Sequence, residues 1–362
     1  MPELDSIRGI AILFVVFYHG MAPPLHVALP PFGQSLLDLC QYGWIGVNIF
    51  FVLSGFLITG ILLDSKLRPD YFRRFYFRRV LRILPALYVV LLALLIGHWI
   101  TTRFAAISVF FLANFAGVLG IGLGYGVLWS LAVEEHFYMF WPALVRLSSS
   151  RTLIALLAVI FFGSPFLRVL TLDRFSDPQH LPELYTWFNL DGLALGSLLA
   201  IWLRSLTFQR NHLIRAALPA MMLGGVVFVY LTGRPWAYAT VVKSACNLFS
   251  AGLLSVMLLI GTSQWRFLVN WSVLRFFGFI SYGLYLVHIL AFHLVDILCS
   301  HKLALVIADG RPMTAMLVRF TGGFVLATAL AYLSRKSLEQ AFLRIGHSSK
   351  RVPASSASIQ VS

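Results

Sequence analysis

Ionisable side chains interrupt several strongly apolar stretches of this sequence. Arg8 and His19 lie in the first of them, eleven residues apart. Eleven helical steps of about 100° bring two side chains to within about 20° on one face, roughly 16 Å apart along the axis. His19 would then lie deep in the membrane, where it either serves as a general base toward a hydroxyl group or only hydrogen-bonds a neighbouring helix.

Two further apolar stretches carry groups of the same kind. Glu134 follows a Trp-Ser-Leu sequence and shares a predicted helix face with Tyr138. His288 ends a polar stripe that it forms with Ser281 and Tyr285 at helical spacing. These groups either line a polar cavity and share a proton during catalysis, or pair with neighbouring helices and stabilise the bundle.

The segment 64–82 contains seven basic residues. Arg74, Arg78 and Arg82 follow one another at intervals of four, so they share a predicted helix face, and Arg79 lies beside them. Guanidinium groups fit phosphate oxygens well, which favours a binding site for a pyrophosphate-bearing donor. The alternative is a topology signal or contact with anionic lipid head groups.

Composition places most of the chain in a lipid bilayer. Of its 362 residues, 59% are hydrophobic and 12% charged, against roughly 45–50% and 25% in soluble globular proteins. The net charge of +14 is explained by basic residues in cytoplasmic loops and requires no nucleic-acid partner. The cysteines at 40, 246 and 299 are far apart, so they predict neither a disulfide framework nor a metal site.

The predicted fold is all-α: a polytopic transmembrane helix bundle of about ten spans. The spans are expected at about 7–25, 44–63, 83–102, 127–145, 152–170, 186–203, 214–232, 240–263, 275–298 and 313–334. The apolar segment 104–120 ends in a glycine-rich run and is predicted to be re-entrant or interfacial. With both termini cytoplasmic, 20 of the 28 basic residues lie on the cytoplasmic side. Residues 1–335 form the predicted transmembrane domain, and residues 336–362 a cytoplasmic basic tail that is partly disordered.

Five short motifs follow one another along the chain. They occupy residues 4–10 (with ten residues between Arg8 and His19), 50–56, 79–85, 129–138 and 281–288. Together they closely resemble the motifs of the acyltransferase 3 family of bacterial integral membrane acyltransferases, over about residues 4–335. Two positions depart from the family pattern: Asn48 stands where members often have Asp, and His136 where many have Gln.

The resemblance implies transfer of an acyl group, often acetyl from acetyl-CoA, to a carbohydrate or glycolipid such as lipopolysaccharide, exopolysaccharide or lipo-chitooligosaccharide. The acyl-CoA is a substrate, and no tightly bound cofactor is expected. The family's Arg-and-His pair corresponds to Arg8 and His19, its arginine pair to Arg79 and Arg82, and its acidic motif to Glu134. The expected location is the bacterial inner membrane, in contact with membrane lipids.

These observations combine into one hypothesis for the site. His19 acts as general base toward the acceptor hydroxyl, or takes part in an acyl relay, while Arg8 orients the site or offsets negative charge. Glu134 or His288 shares the proton. The predicted catalytic residues are therefore His19, Arg8, Glu134 and His288. The predicted donor-binding residues are Arg74, Arg78, Arg79 and Arg82, and no metal is expected.

A proton-coupled secondary transporter of a small metabolite or glycan precursor is the alternative function, because transporters also use intramembrane histidine and carboxylate groups as proton relays. The absence of inverted-repeat symmetry between the two halves of the sequence argues against it. A flippase-like or scaffold component of a polysaccharide assembly machine is a third, weaker candidate. Release of coenzyme A during turnover would distinguish the enzyme from the transporter.

Overall fold

A computed structural model describes residues 2–21, 29–171, 184–234 and 237–348, and this part of the chain is helical without any β-strand. Short 3₁₀ and π turns join or extend several of the helices. The α-helices are α1 (Pro2–Gly20), α2 (Pro31–Cys40), α3 (Ile45–Asp64), α4 (Tyr71–Ile96), α5 (Thr102–Val109), α6 (Leu128–Leu147), α7 (Ser150–Thr171), α8 (Leu190–Leu203), α9 (Arg210–Leu231), α10 (Lys243–Gly261), α11 (Ser272–Ala308), α12 (Pro312–Ser334) and α13 (Gln340–Ser348).

Seven helical segments of the described chain are long and apolar enough to cross a bilayer. They contain α3, α4, α7, α9, α10, α11 and α12, which confirms an all-helical, multi-pass membrane protein. The other three predicted spans correspond to α1, α6 and α8. The first two carry ionisable groups (Glu3, Asp5 and Arg8 in α1; Glu134 and Glu135 in α6), and α8 has only 14 residues. The total of about ten spans stays a prediction.

The ambiguous segment 104–120 does not form a spanning helix. Its only α-helix is α5, with eight residues, and a helix of that length is about 12 Å long. A single 3₁₀ turn, Ala113–Phe115, follows it. Because an irregular backbone must be buried in protein or line a cavity at membrane depth, this segment belongs against the bundle and not in lipid.

Helices α1 and α11 lie side by side in the same direction at the centre of the bundle. A Cβ added to Gly278 would lie 1.8 Å from the carbonyl oxygen of Asp5, and one added to Gly9 would lie 2.0 Å from that of Leu274. The two backbones therefore touch, as small residues permit in membrane helix pairs. Because the two helices run in the same direction, the turns of α1 and α11 that follow this contact also lie side by side.

Helices α3 and α8 make a second close contact. A Cβ on Gly196 would lie 1.9 Å from the carbonyl oxygen of Val52, and one on Gly55 would lie 2.0 Å from that of Leu193. The outward faces of the peripheral helices are apolar and exposed, as expected for contact with lipid tails. Examples are Leu92, Val159, Phe162, Val226 and Val229.

Helical structure continues past the predicted domain boundary at residue 335. A π turn, Arg335–Glu339, follows α12, and α13 then packs against α4. Glu339 is buried and accepts a 2.8 Å hydrogen bond from Arg335. The rest of the predicted tail, residues 349–362, lies outside the described residues, so its disorder stays a prediction.

Replacing Gly278 by Ala is expected to destabilise the protein, because the new methyl group overlaps a backbone oxygen and forces α1 and α11 apart. Overpacking of this kind costs typically about 1–3 kcal/mol. Gly163→Ala is the matched control, since a Cβ there meets nothing within 4 Å. Thermal unfolding of the two purified variants in detergent measures the difference. Equal melting temperatures would show that the helices do not depend on this contact.

Candidate active site

A polar cavity of about 160 Å³ lies between α1, α3, α4, α6 and α11. Its charged lining residues are Arg8, Arg79, Arg82 and Glu134. Its hydroxyl-bearing lining residues are Ser54, Ser130, Tyr138, Ser281, Tyr282 and Tyr285. Four of the eight predicted site residues thus meet in one chamber inside the bundle.

Glu134 is held by two hydroxyl groups within this cavity. Its Oε1 accepts a 2.8 Å hydrogen bond from Ser54, and its Oε2 accepts a 3.3 Å hydrogen bond from Tyr138. Tyr138 lies one helical turn further along α6, as the spacing predicted. Ser54 comes from α3, 80 residues away in sequence, so sequence spacing gives no sign of that contact.

Glu135, the neighbouring acid, points to a different partner. Its Oε1 accepts hydrogen bonds of 3.2 Å from both Nε and Nη2 of Arg79. The Arg79 guanidinium also lies over the ring of Tyr138, with its Cζ 3.4 Å from the ring centroid. The two adjacent acids therefore have different roles in the structure. Glu135 joins α6 to α4, whereas Glu134 faces the cavity.

The arginines of the cavity differ in how they are paired. Arg8 bonds to Asp5 at 3.3 Å on its own helix, and Arg79 bonds to Glu135. The side chain of Arg82 forms no hydrogen bond or ion pair with any residue that the structure describes. A guanidinium group with all its donors available is suited to binding an anion.

Arg74 and Arg78 lie nearer the start of α4 and do not line the cavity. They are eight and four residues before Arg82, which corresponds to about 12 and 6 Å along the helix axis. All three project from one helix face, so they form a basic row that leads to the cavity. Their role in donor binding stays a prediction.

His19 and His288 form a contact pair just beyond the cavity. Nδ1 of His19 lies 3.2 Å from Nε2 of His288, and the ring centroids are 5.0 Å apart. Neither histidine lines the cavity, whose end on this side is formed by Phe50, Ser130 and Tyr285. The Tyr285 ring lies 5.9 Å from the His288 ring. Tyr285 thus both lines the cavity and neighbours His288.

An ion pair that the sequence analysis missed fixes the end of α1 beside these histidines. Nη1 of Arg319 donates a 2.8 Å hydrogen bond to the carbonyl oxygen of Gly20, the last residue of α1. The same guanidinium binds both carboxylate oxygens of Asp296, at 2.5 and 2.9 Å. This arrangement joins α1, α11 and α12 one residue after His19. An arginine seven residues into the apolar α12 was the signal that could have revealed it.

A second buried ion pair lies away from the cavity. Arg168 on α7 binds Asp191 on α8 at 2.7 Å, and both side chains are essentially inaccessible to solvent. Ser244 bonds to both of them. Lys243 donates to Asn189 at 2.9 Å. Asp191 and Lys243 therefore each bond to a residue from a different segment of the chain, and neither lines the cavity.

Over the described residues, no three His, Cys, Asp or Glu side chains come close enough to hold a metal ion. Cys40, Cys246 and Cys299 are all free thiols. The polar groups of the cavity are instead guanidinium, carboxyl, hydroxyl and, beyond Tyr285, imidazole groups. Such a set binds anions and transfers protons.

The motifs that form this site belong to a known family. The model of the acyltransferase 3 family, described as an acyltransferase domain, matches residues 1–336. The chain belongs to the acyltransferase 3 family. This confirms the family resemblance of the five sequence motifs. No solved structure matches the chain.

Several curated proteins are similar to this chain. A putative peptidoglycan O-acetyltransferase of Bacillus subtilis, YrhL, is 29% identical over 80% of this chain and 48% of its own length. The peptidoglycan O-acetyltransferase OatA of Listeria monocytogenes is 28% identical over 40% of this chain and 24% of its own length. A putative acetyltransferase of Acidianus two-tailed virus, ORF330, is 27% identical over 82% of this chain and 84% of its own length. The chain thus spans about half or less of the two bacterial relatives.

Replacing Arg319 by Met is expected to destabilise the protein by about 2–3 kcal/mol, because it leaves Asp296 unpaired and releases the end of α1. The matched control is Arg311→Met, which breaks an ion pair with Asp309 whose members are 61% and 62% exposed. Exposed pairs contribute about 0–1 kcal/mol. Thermal unfolding in detergent compares the two variants. A loss no larger for Arg319 than for Arg311 would contradict this structural role.

Proposed function

We propose that this protein is a membrane-bound O-acyltransferase. It transfers an acyl group, most simply acetyl, from a cytoplasmic acyl-CoA to a hydroxyl group of a carbohydrate or glycolipid. The observation that carries the proposal is a cavity with three arginines on one side and a histidine pair just beyond its other end, in a chain of the acyltransferase 3 family.

The dimensions of the site suit a coenzyme A thioester. From its pyrophosphate to its sulfur, coenzyme A has a flexible arm of 13 bonds, which at about 1.2 Å per bond extends to about 16 Å. Arg8 and His19 are eleven positions apart in the sequence, which is about the same distance along α1. Phosphates held by Arg79 and Arg82 would therefore bring the thioester to the histidine pair, with a rotation of Tyr285 opening the way.

The proposed chemistry needs one general base and one positively charged group that offsets the negative charge of the donor's phosphates. His19 takes the proton of the acceptor hydroxyl as its oxygen attacks the thioester carbonyl. The carbon–sulfur bond then breaks, and the proton passes from His19 to the leaving thiolate. Arg8 lies with the cavity arginines, so it offsets the phosphate charge of the donor. Glu134 stays a candidate for proton sharing through Ser54 and Tyr138.

The acceptor is proposed by class. Two of the similar proteins are named peptidoglycan O-acetyltransferases, which favours a glycan hydroxyl over a small drug-like acceptor. Membership of an acyltransferase family favours group transfer over the proton-coupled transport considered from the sequence. A multi-pass bundle is also able to receive donor and acceptor from opposite membrane faces.

Acetyl transfer is tested with purified protein in lipid nanodiscs, supplied with acetyl-CoA and soluble glycan fragments. Free coenzyme A thiol and the acetylated glycan, detected by mass spectrometry, are expected to appear together. Loss of a positioned general base lowers the rate about 10²–10⁴-fold, so the rate of acetyl transfer by His19→Ala is expected to fall by that factor. The control is His212→Ala, at an exposed position on α9. Wild-type turnover in His19→Ala would refute the base assignment.

Donor binding is tested by titrating coenzyme A in a calorimeter against Arg79→Ala, Arg82→Ala and the double variant. Hydrogen bonds to charged groups contribute about 1.5–3 kcal/mol each, so Arg82→Ala is expected to weaken binding by at least about tenfold. Arg79→Ala has the added effect of leaving Glu135 unpaired. The matched control is Arg73→Ala, an exposed arginine on the same helix. Unchanged affinity in the double variant would place the donor elsewhere.

A further inference from the structure

The two contacting histidines have hydrogen-bond partners that determine which ring nitrogens carry protons. Nδ1 of His288 lies 2.8 Å from the carbonyl oxygen of Tyr285 and 3.1 Å from that of Leu284. A carbonyl oxygen only accepts hydrogen bonds, so Nδ1 of His288 must carry a hydrogen. A neutral imidazole has one N–H, which leaves Nε2 of His288 as an acceptor.

The proton position on His288 determines the proton position on His19. Nε2 of His288, now an acceptor, faces Nδ1 of His19 at 3.2 Å, so this nitrogen must be the donor. The carbonyl oxygen of Val15 lies 3.0 Å from the same Nδ1 and requires the same proton position. Nδ1 of His19 therefore carries the hydrogen, and Nε2 of His19 carries the free electron pair.

His19 is also the more accessible residue of the pair. His288 is fully buried, whereas His19 is half-buried. Within the described residues, Nε2 of His19 makes no hydrogen bond. The nitrogen with the free electron pair thus belongs to the less buried histidine and has no hydrogen-bond partner among the described residues.

We propose that His288 is a positioning residue, which holds His19 in the Nδ1–H tautomer and supports the positive charge that His19 acquires when Nε2 takes the acceptor's proton. The proposal rests on the transferase function proposed above. His288 itself donates no proton to the substrate. This differs from a direct sharing of the proton, because the hydrogen on Nδ1 of His288 stays on that nitrogen throughout and is donated as a hydrogen bond to the backbone carbonyl oxygens of Tyr285 and Leu284.

In many active sites a general base that accepts a proton from a hydroxyl group is oriented by a third group. Here His19 is the base, and the neutral imidazole of His288 is the group that orients it. No carboxylate of the described chain lies within ion-pair distance of either ring. A buried carboxylate would carry a large desolvation cost at this depth, which a neutral imidazole avoids. The backbone carbonyls behind His288 align the hydrogen-bond chain so that each bond polarises the next.

The kinetic test compares His288→Leu with His288→Gln in the transferase assay. Leu offers no acceptor, whereas the Gln carbonyl oxygen can accept from Nδ1 of His19. Loss of the group that orients a functional histidine typically lowers activity about 10–100-fold. We expect that loss in kcat for His288→Leu, an unchanged KM for acetyl-CoA, and substantial recovery of kcat in His288→Gln. The matched control is His293→Leu, at an exposed position on the same helix.

A spectroscopic test reads the tautomer in the wild-type protein and does not depend on the His288 variants. In wild-type protein labelled with ¹⁵N-histidine, the His19 signal, assigned by its loss in His19→Gln, is expected to show a protonated Nδ1 and an unprotonated Nε2. The opposite tautomer would overturn the proposal. So would full kcat in a folded His288→Leu, or equal losses in the Leu and Gln variants. If wild-type protein itself released no coenzyme A, the transferase function would fail while the tautomer assignment could still stand.

Discussion

A charged side chain inside a bilayer is stable only when another part of the protein satisfies it, because lipid offers no hydrogen bonds. The structure meets this constraint with ion pairs that join different helices: Arg319 with Asp296, Arg168 with Asp191, and Arg79 with Glu135. Each pair fixes the relative positions of two helices as well as neutralising charge. Against this background Arg82 is distinctive, since its guanidinium has no such partner among the described residues and lines the cavity.

Close backbone contacts act together with these ion pairs to fix the geometry of the site. Gly9 and Gly278 allow α1 and α11 to touch near their starts, and Arg319 holds the end of α1 against α11 and α12. A helix fixed at both ends has little freedom to slide or rotate. The contact between His19 and His288 is therefore a consequence of packing at two distant points, more than of any attraction between the rings themselves.

Sequence reasoning predicted the features that depend on local spacing. An α-helix overlaps each of the ten predicted spans within the described residues, and Arg8, Arg79, Arg82 and Glu134 meet in one cavity. It did not predict contacts between distant segments, such as Ser54 with Glu134, because spacing within one helix says nothing about the rotation of the next. Arg319 was missed for a related reason. A lone arginine in an apolar helix indicates that a partner exists, but the sequence does not show which residue that partner is.

A rigid element sets the distance between Arg8 and His19, the residues proposed above to offset donor phosphate charge and to act as general base. Both lie on α1 and are eleven residues apart, which at 1.5 Å per residue is about 16 Å along the helix axis. Sites built on helices hold their geometry better than sites on loops. A donor with a long flexible arm loses conformational freedom when it binds. A fixed distance between the two groups that hold it restricts the donor to conformations in which it can react. Under the proposed function, this is how the helix bundle alone would align a thioester with a base.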